Sequence, residues 1–514
     1  MRNLRRTTQG IFLLIFLFLF VQTESKGGDE LGYPVKIWLD FDPLIFISTL
    51  LSSHSVTRAL LLSLIVVVVT IFLGRIFCGW ICPLGTLNTM TGALKRKASA
   101  PVHHTWYRTK YYILLIVLAS SLFTAQLAGI MDPISLLIRS LSLSIYPLVN
   151  YMTVSFFDTI YDLHPPGVVA VSELLYTLAK KTFLAFNQPH FFQGIFIGLL
   201  FILILGLNLI ERRFWCKYLC PLGALLGILS RYSVLKRSIS EGCTSCGICE
   251  TACPGGAVID RDGTWKSQEC LYCMDCDDLC PRNAVSFGFT GKTEAVSLNL
   301  GRRNVITSIC AGILAVPLLR IRPLSGSGYF NRKLIRPPGS LDEQAFLRRC
   351  VRCGECMKVC ITNGLQPTLL DAGVEGLWTP KLVPRVGYCE YRCTLCGQVC
   401  PTGAIKRLTL EEKEKTKIGI AMIDKGRCLP YAFGTPCLVC EEVCPTPRKS
   451  IWLEQVPVRD RDGNETMIQQ PKIDSTLCVG CGICETFCPV RGEPAIYVIS
   501  TNESRSMDNK LVLD

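Results

Sequence analysis

Apolar positions along this chain gather into long runs instead of alternating with polar ones. Four runs lie at about 11–21, 57–77, 112–131 and 191–210. The second to fourth approach the ~20 apolar residues that cross a bilayer's hydrocarbon, so they predict membrane helices. The first run is shorter and follows Arg2, Arg5 and Arg6, which is also the form of a secretory signal. No small-residue cleavage pattern precedes Gly27, so the reading is an uncleaved first helix. A fifth stretch, "LGRRNVITSICAGILAVPLL" (300–319), is marginal for a span.

Basic residues set the expected orientation. Lys95, Arg96, Lys97, Arg108 and Lys110 follow the second run, and Arg212 and Arg213 follow the fourth. The 26–55 segment instead carries Asp29, Glu30, Asp40 and Asp42. By the positive-inside rule the N-terminus, the 78–110 loop and the chain after 211 are cytoplasmic, and the loops 26–55 and 132–190 face outside. The 514 residues have a mean hydropathy of +0.34 and a net charge of +13. That charge flanks membrane segments and forms no tract suited to nucleic acid.

The membrane half repeats itself. "GRIFCGWICPLGTL" (74–87) matches "RRFWCKYLCPLGAL" (212–225), and "DPLIFISTLL" (42–51) echoes "DPISLLIRSL" (132–141). Each unit reads as an outward helix, an outside loop starting with Asp-Pro, an inward helix, then C-x3-C-P-L-G. Two parallel copies imply a pseudo-two-fold axis along the membrane normal. That symmetry brings Cys78, Cys82, Cys216 and Cys220 to one face. The proline after each second cysteine puts each pair at a helix end. Four soft ligands suffice for a further iron–sulfur centre. The alternative is a set of buried thiols without metal. A disulfide conflicts with a reducing cytoplasmic face.

The remaining cysteines are grouped, not spread as in a secreted disulfide protein. Of 29, 24 fall into six groups of four, and Cys310 stands alone as an inert small hydrophobe. "CTSCGICETACP" gives Cys243, Cys246, Cys249 and Cys253, and "CLYCMDCDDLCP" gives Cys270, Cys273, Cys276 and Cys280. This is the bacterial two-cluster pattern, in which each fourth cysteine ligates the other cluster. Cys243, Cys246, Cys249 and Cys280 are expected to hold one [4Fe-4S] cluster. Cys270, Cys273, Cys276 and Cys253 are expected to hold the other. Zinc ribbons do not use this triple spacing.

Four more groups follow. They are Cys350, Cys353, Cys356 and Cys360, then Cys389, Cys393, Cys396 and Cys400. After them come Cys428, Cys437, Cys440 and Cys444, and finally Cys478, Cys481, Cys484 and Cys488. Two have widened first gaps, and Ile361 replaces the usual proline in the first. All keep four ligands, which gives six [4Fe-4S] clusters in total.

Arg302 and Arg303 precede the fifth apolar stretch as in a twin-arginine export signal. On that reading 326–514 lies outside and the helix remains as an anchor. The opposing reading is a buried helix joining two cytoplasmic domains, and Arg320, Arg322, Arg332, Lys333 and Arg336 favour it. The five histidines, His54, His103, His104, His164 and His190, lie outside the predicted spans, so paired haem ligands are missing. No C-x-x-C-H motif and no glycine-rich nucleotide fingerprint occurs, so no haem and no nucleotide is expected. Asp42 and Asp132 read as turn or cap residues, with a quinol-proton role as the sharper alternative.

The first half resembles the NapH-type membrane ferredoxins and, in its core, the NosR and CcoG-type polyferredoxins. Four helices, two C-x3-C-P motifs and a two-cluster domain carry that resemblance. The second half resembles the NapG/MauM-type four-cluster proteins, through "RPPGSLDEQAFLRRCVRCGECMKVC" (336–360), "GLWTPKLVPRVGYCEYRCTLCGQVCPTGAI" (376–405) and the leading arginine pair. The chain therefore looks like a fusion of the two. The resemblance implies a mixed fold, an α-helical membrane domain of four helices plus a fifth with α+β ferredoxin-like domains. The implied divisions are a four-helix domain (1–235), a cytoplasmic two-cluster domain (236–295), an anchor helix (296–325) and a periplasmic four-cluster domain (326–514). It also implies a multi-pass inner-membrane protein that takes electrons from menaquinol in the quinone pool, as a quinol dehydrogenase module. The electrons go to a periplasmic reductase or carrier. It further implies nested pairing, in which the 350–360 motif exchanges its fourth cysteine with 478–488 and the middle motifs with each other. The rival function is an accessory protein that matures or reactivates a partner metalloenzyme with electrons from cytoplasmic donors.

Overall fold

Each apolar run becomes helix, but breakers inside the runs cut most of them short. The computed structural model describes residues 1–25, 28–94, 104–163, 169–185, 187–258, 265–289, 300–320, 331–459, 465–506 and 509. Lys95, Arg96, Lys97, His103, His164 and Arg322 lie outside the described residues. Helix α1 spans Arg2–Gln22. Asp42 caps α2 (Pro43–Ser53). The 57–77 run forms a short 3-10 turn and then α3 (Ser63–Leu73), which stops at Gly74, φ +74°. Helix α4 (Pro83–Ala93) starts at Cys82. The 112–131 run yields α5 (Thr109–Leu122), broken near Thr124, φ +69°.

The segment 132–190 was expected as an outside loop, and its described part is mostly helical. Asp132 caps α6 (Pro133–Ser140), a π turn follows, and α7 (Tyr146–Leu163) and α8 (Val169–Thr182) come next. Asn150, Thr153, Ser155 and Asp158 interrupt the hydropathy of α7, so a search for apolar runs passes over it. Likewise, Asp-Pro opens a helix in both repeats, not a loop. Proline suits the first helical turn, and each aspartate accepts two backbone N–H groups, worth about 1 kcal/mol per cap. Helices α9 (Gly194–Gly206), α10 (Pro221–Ser230) and α11 (Arg302–Leu319) complete the helical part. Among the described residues, only α1 and α11 are long and apolar enough to cross a membrane by length and composition. Of the four runs, the first lies within such a helix, and the other three are divided into shorter helices.

The cysteine-rich parts fold as three modules with one plan. In the first module, β1 (Lys236–Ile239) pairs antiparallel with β2 (Val285–Gly288), bracketing both of its motifs. In the second, Ser340 bridges Ile405 around the next two motifs, after α12 (Glu343–Arg349). Inside it, β3 (Leu365–Pro367) pairs with β4 (Pro380–Leu382). In the third, β5 (Ile420–Ile423) pairs with β8 (Ile496–Ile499), and the hairpin of β6 (Ile451–Arg459) and β7 (Glu465–Ile473) lies between.

Modules one and two sit at opposite ends of α1. Arg5 pairs with Asp275 of the first module at 3.0 Å. At the other end, Lys358 of the second module donates to the carbonyl oxygens of Phe20 and Thr23 at 2.7 and 2.6 Å. Helix α11 runs beside α5 in the same direction. Tyr112 donates to Leu300 O at 2.6 Å, Gly312 packs on Ile116 and Ala119, and Arg320 reaches Thr124 and Glu375. One buried core joins Phe16, Cys78, Cys82, Leu84, Ile134, Cys220, Val351 and Cys353.

Candidate metal centres

The spacing C-x2-C-x2-C places three thiols around one short turn and leaves a fourth position open. In the second module that position is filled by its neighbour. Cys350, Cys353 and Cys356 line a cavity of about 380 Å³ with Cys400. Cys389, Cys393 and Cys396 line one of about 430 Å³ with Cys360. In the third module, Cys428, Cys437 and Cys440 line one of about 400 Å³ with Cys488. Cys478, Cys481 and Cys484 lie within electrostatic reach of Cys444. The fourth cysteines are thus exchanged between adjacent motifs. The nested exchange implied by the resemblance is not formed, because each bracketing strand pair or bridge encloses two consecutive motifs. In the first module, Cys270, Cys273 and Cys276 have Cys253 as their neighbour, as the spacing predicts.

These cysteines surround space instead of converging on a point. Among the described residues, no three His, Cys, Asp or Glu side chains are arranged for a single metal ion. Burial pushes the Cys393, Cys440 and Cys481 thiols up to about 12. Four thiolates at such a site are tolerated only around a cationic core. Backbone N–H groups point at sulfur, from Ile405 to Cys400 at 3.4 Å and from Ala284 to Cys280 at 3.3 Å. The hydroxyls of Thr362, Thr402 and Thr446 reach the sulfurs of Cys360, Cys400 and Cys444 at 3.6, 3.9 and 3.3 Å. Sequence reasoning missed these threonines, although each stands two residues after a fourth cysteine. Hydrogen bonds of this kind tune cluster potential.

The paired C-x3-C-P motifs also come together. Each forms a π turn, Phe77–Ile81 and Trp215–Leu219, and its second cysteine caps the next helix. The sulfurs of Cys82 and Cys220 accept from Gly85 N at 3.4 Å and Gly223 N at 3.2 Å. Cys78, Cys82, Cys216 and Cys220 are electrostatic neighbours. Burial pushes the thiols of Cys82, Cys216 and Cys220 up, and neighbouring cysteines add to it, while Arg213 opposes it at Cys82 and Cys216. Two buried arginines attend them. Arg213 donates to Cys78 O at 3.2 Å and to Thr89, and Arg75 donates to Gln268 O at 2.9 Å. The signal was available: each arginine stands three residues before its first cysteine. Asn88 reaches the Cys216 sulfur at 3.8 Å and is held by Asn208.

The motif loops of the bundle and the first module touch. Trp80 donates to Tyr272 O at 2.9 Å, and Glu269 is gripped by Lys110, by Arg75 at 3.7 Å and by Tyr111 at 2.8 Å. At the far end, Arg139 of α6 donates to Arg352 O at 3.2 Å and stacks over Trp378. Cys310 is exposed on α11.

Repeated cysteine modules with shared fourth ligands define a ferredoxin-type, multi-cluster iron–sulfur electron-transfer protein. A family model described as "4Fe-4S binding domain" matches residues 56–101 and 193–240, and a second of the same description matches 471–491. The methylamine utilization ferredoxin-type protein MauM of Methylorubrum extorquens is 39% identical over 208 residues, covering 38% of this chain and 88% of its own. The ferredoxin-type protein NapG of Escherichia coli is 36% identical over 167 residues, 32% of this chain and 70% of its own. YccM of Escherichia coli is 29% identical over 257 residues, 50% of this chain and 62% of its own. No solved structure matches. The chain belongs to the NapG/MauM family of ferredoxin-type proteins.

Proposed function

We propose that this protein is a membrane-bound quinol dehydrogenase module, a NapH-like half fused to a NapG-like half. It carries electrons across the bilayer to a redox partner on the far side. The observation that supports this most is the pinning of α1 at both ends. Arg5 holds the first module and Thr23 accepts from the second, 18 residues apart, which is about 27 Å of helix and close to the hydrocarbon thickness. The course of α11, from Tyr112 beside the first module to Glu375 of the second, fits a chain that changes sides. On this reading the 326–514 part is periplasmic and the shortened helices pack as a bundle around α1.

Six [4Fe-4S] clusters would supply one-electron storage and transfer. Two are held by Cys243, Cys246, Cys249 with Cys280, and by Cys270, Cys273, Cys276 with Cys253. The other four use the quartets found around the cavities and around Cys478. Cys78, Cys82, Cys216 and Cys220 hold a seventh centre. Four thiolates on an oxidised [4Fe-4S] core leave a double negative charge, and Arg75 and Arg213 offset it. A seventh centre there shortens the gap between the first module and the second, because Gln9 of α1 donates to Gly79 O, four residues in from Arg5.

Two measurements test the proposal. A reporter fused after residue 330 is expected to read as external, and one fused after 289 as internal. Protein in lipid vesicles with reduced menaquinol is expected to show cluster reduction without any partner. An internal reporter at 330 would overturn transmembrane delivery. Silence with quinol but reduction by a cytoplasmic flavodoxin would favour the accessory-protein reading.

A further inference from the structure

The two Asp-Pro repeats meet. Asp42 and Asp132 are fully buried, and each spends one carboxyl oxygen on its own helix cap. The other oxygens, Oδ2 of Asp42 and Oδ1 of Asp132, make no well-formed hydrogen bond to a donor, and the Ser135 hydroxyl, on the Asp132 side, is the nearby side-chain donor. The two carboxyl groups are within hydrogen-bonding reach of one another. Two acceptors facing each other need a hydrogen between them.

One cation on these elements, Arg139, acts on the pair through its charge. The charged residues on elements packed against α2 and α6 are Asp40, Arg58, Lys110, Glu343, Arg348 and Arg349, with Arg139 on α6 itself. Lys110 is taken by Glu269, and Arg139 directs its hydrogen bonds to the carbonyls of Gly129, Ile130 and Arg352, so its charge reaches Asp132 without supplying a hydrogen between the two carboxyls. What does face the pair is the N-terminus of two helices, each worth roughly half a positive charge. These charges favour the ionised pair, but none of them places a hydrogen between the two facing oxygens.

We propose that Asp42 and Asp132 share a single proton at rest and form a redox-linked proton site. Their neighbours Leu44, Ile45 and Ile134 belong to the packed core that also contains Cys82, Cys220 and Cys353. Continuous packing therefore joins the pair to two of the proposed electron sites. When a flanking cluster gains one electron, one proton from water joins the pair, and both carboxyls become neutral. When the electron leaves, that proton returns to water. Only this redox step rests on the cluster reading of the previous section.

The tests use full-length protein in vesicles with D42N and D132N. Asparagine keeps the capping oxygen and offers an N–H to the remaining carboxylate, so both variants are expected to fold with full iron content. Infrared difference spectra of the wild type should contain a protonated-carboxyl band that shifts in D₂O. Each variant alone should lose it. A band that survives in either variant overturns proton sharing. In potentiometric titrations followed by EPR, the wild type should have a cluster midpoint that falls as pH rises, and the variants should not. A pH-independent wild-type midpoint overturns the redox link. A protein without cluster signals would instead sink the proposed function, while the infrared band would still report on the pair.

Discussion

Gly79 lies against the carbonyl oxygen of Leu271, so close that a β-carbon at residue 79 would overlap it. Gly79 stands between Cys78 and Cys82, and Leu271 between Cys270 and Cys273. The two cysteine loops are thus back to back with no side chain between them. Gly79→Val is expected to push the first module away, with a cost of about 1–3 kcal/mol from overpacking. Electron passage from module to bundle should slow while iron content is kept. Stopped-flow absorbance with an iron assay checks this, and unchanged kinetics at full iron would count against the contact.

Adjacent exchange of the fourth cysteine predicts which variants behave alike. Cys400→Ala should abolish the same EPR signal as Cys350→Ala, because both line one cavity. Cys360→Ala should instead match Cys389→Ala. A nested arrangement would make Cys350→Ala match Cys488→Ala, so one set of spectra separates the two.

Arg213 lies beside the paired-motif thiols and donates to Cys78 O. Reduction adds negative charge, which a nearby cation favours. Arg213→Met should therefore lower the midpoint of the centre there, by roughly 50–100 mV, about 1–2 kcal/mol for a one-electron couple. EPR-monitored redox titration measures it. An unchanged set of midpoints would argue that these thiols carry no electron.

Glu343 on α12 offers a pH test at an ion pair. Burial opposes its charge, yet Arg336 at 2.6 Å and Arg505 at 2.9 Å hold its carboxyl down to about 2, against 4.5 for a free glutamate. A depressed carboxylate stabilises the fold above its unfolded value. That contribution is lost as pH falls from about 4.5 towards about 2. It amounts to about 3 kcal/mol. Glu343→Gln should lower stability at neutral pH and flatten the acid limb of a denaturation series followed by circular dichroism. An acid limb as steep as wild type would refute the assignment.

Much of the candidate site was legible in the sequence. The repeat predicted that Cys78, Cys82, Cys216 and Cys220 would converge, and Pro83 and Pro221 predicted their place at helix ends. The grouping of Cys253 with Cys270, Cys273 and Cys276 followed from spacing alone. Pairing among the later motifs did not, because their separations are similar. It is fixed by Ser340 meeting Ile405 and by β5 meeting β8, contacts that no local pattern announces. Helix length was misread where Gly74 and Thr124 break apolar runs that composition treats as continuous. Arg75 and Arg213 stood in both copies of the motif, but their role emerged only once burial placed them beside the thiols.

Adjacent exchange also sets an order of assembly during synthesis. Cys400 completes a cavity begun by Cys350, fifty residues earlier, and Cys360 waits for Cys389, Cys393 and Cys396. Neither cavity of a module can close until both of its motifs have left the ribosome, and damage to one motif opens both. A chain halted between 405 and 420 would retain both cysteine quartets of the second module. A chain halted between 360 and 389 would retain neither of that module's cavities. The gap before β5 is therefore a natural checkpoint, where cofactor loading of one module can finish before the next begins.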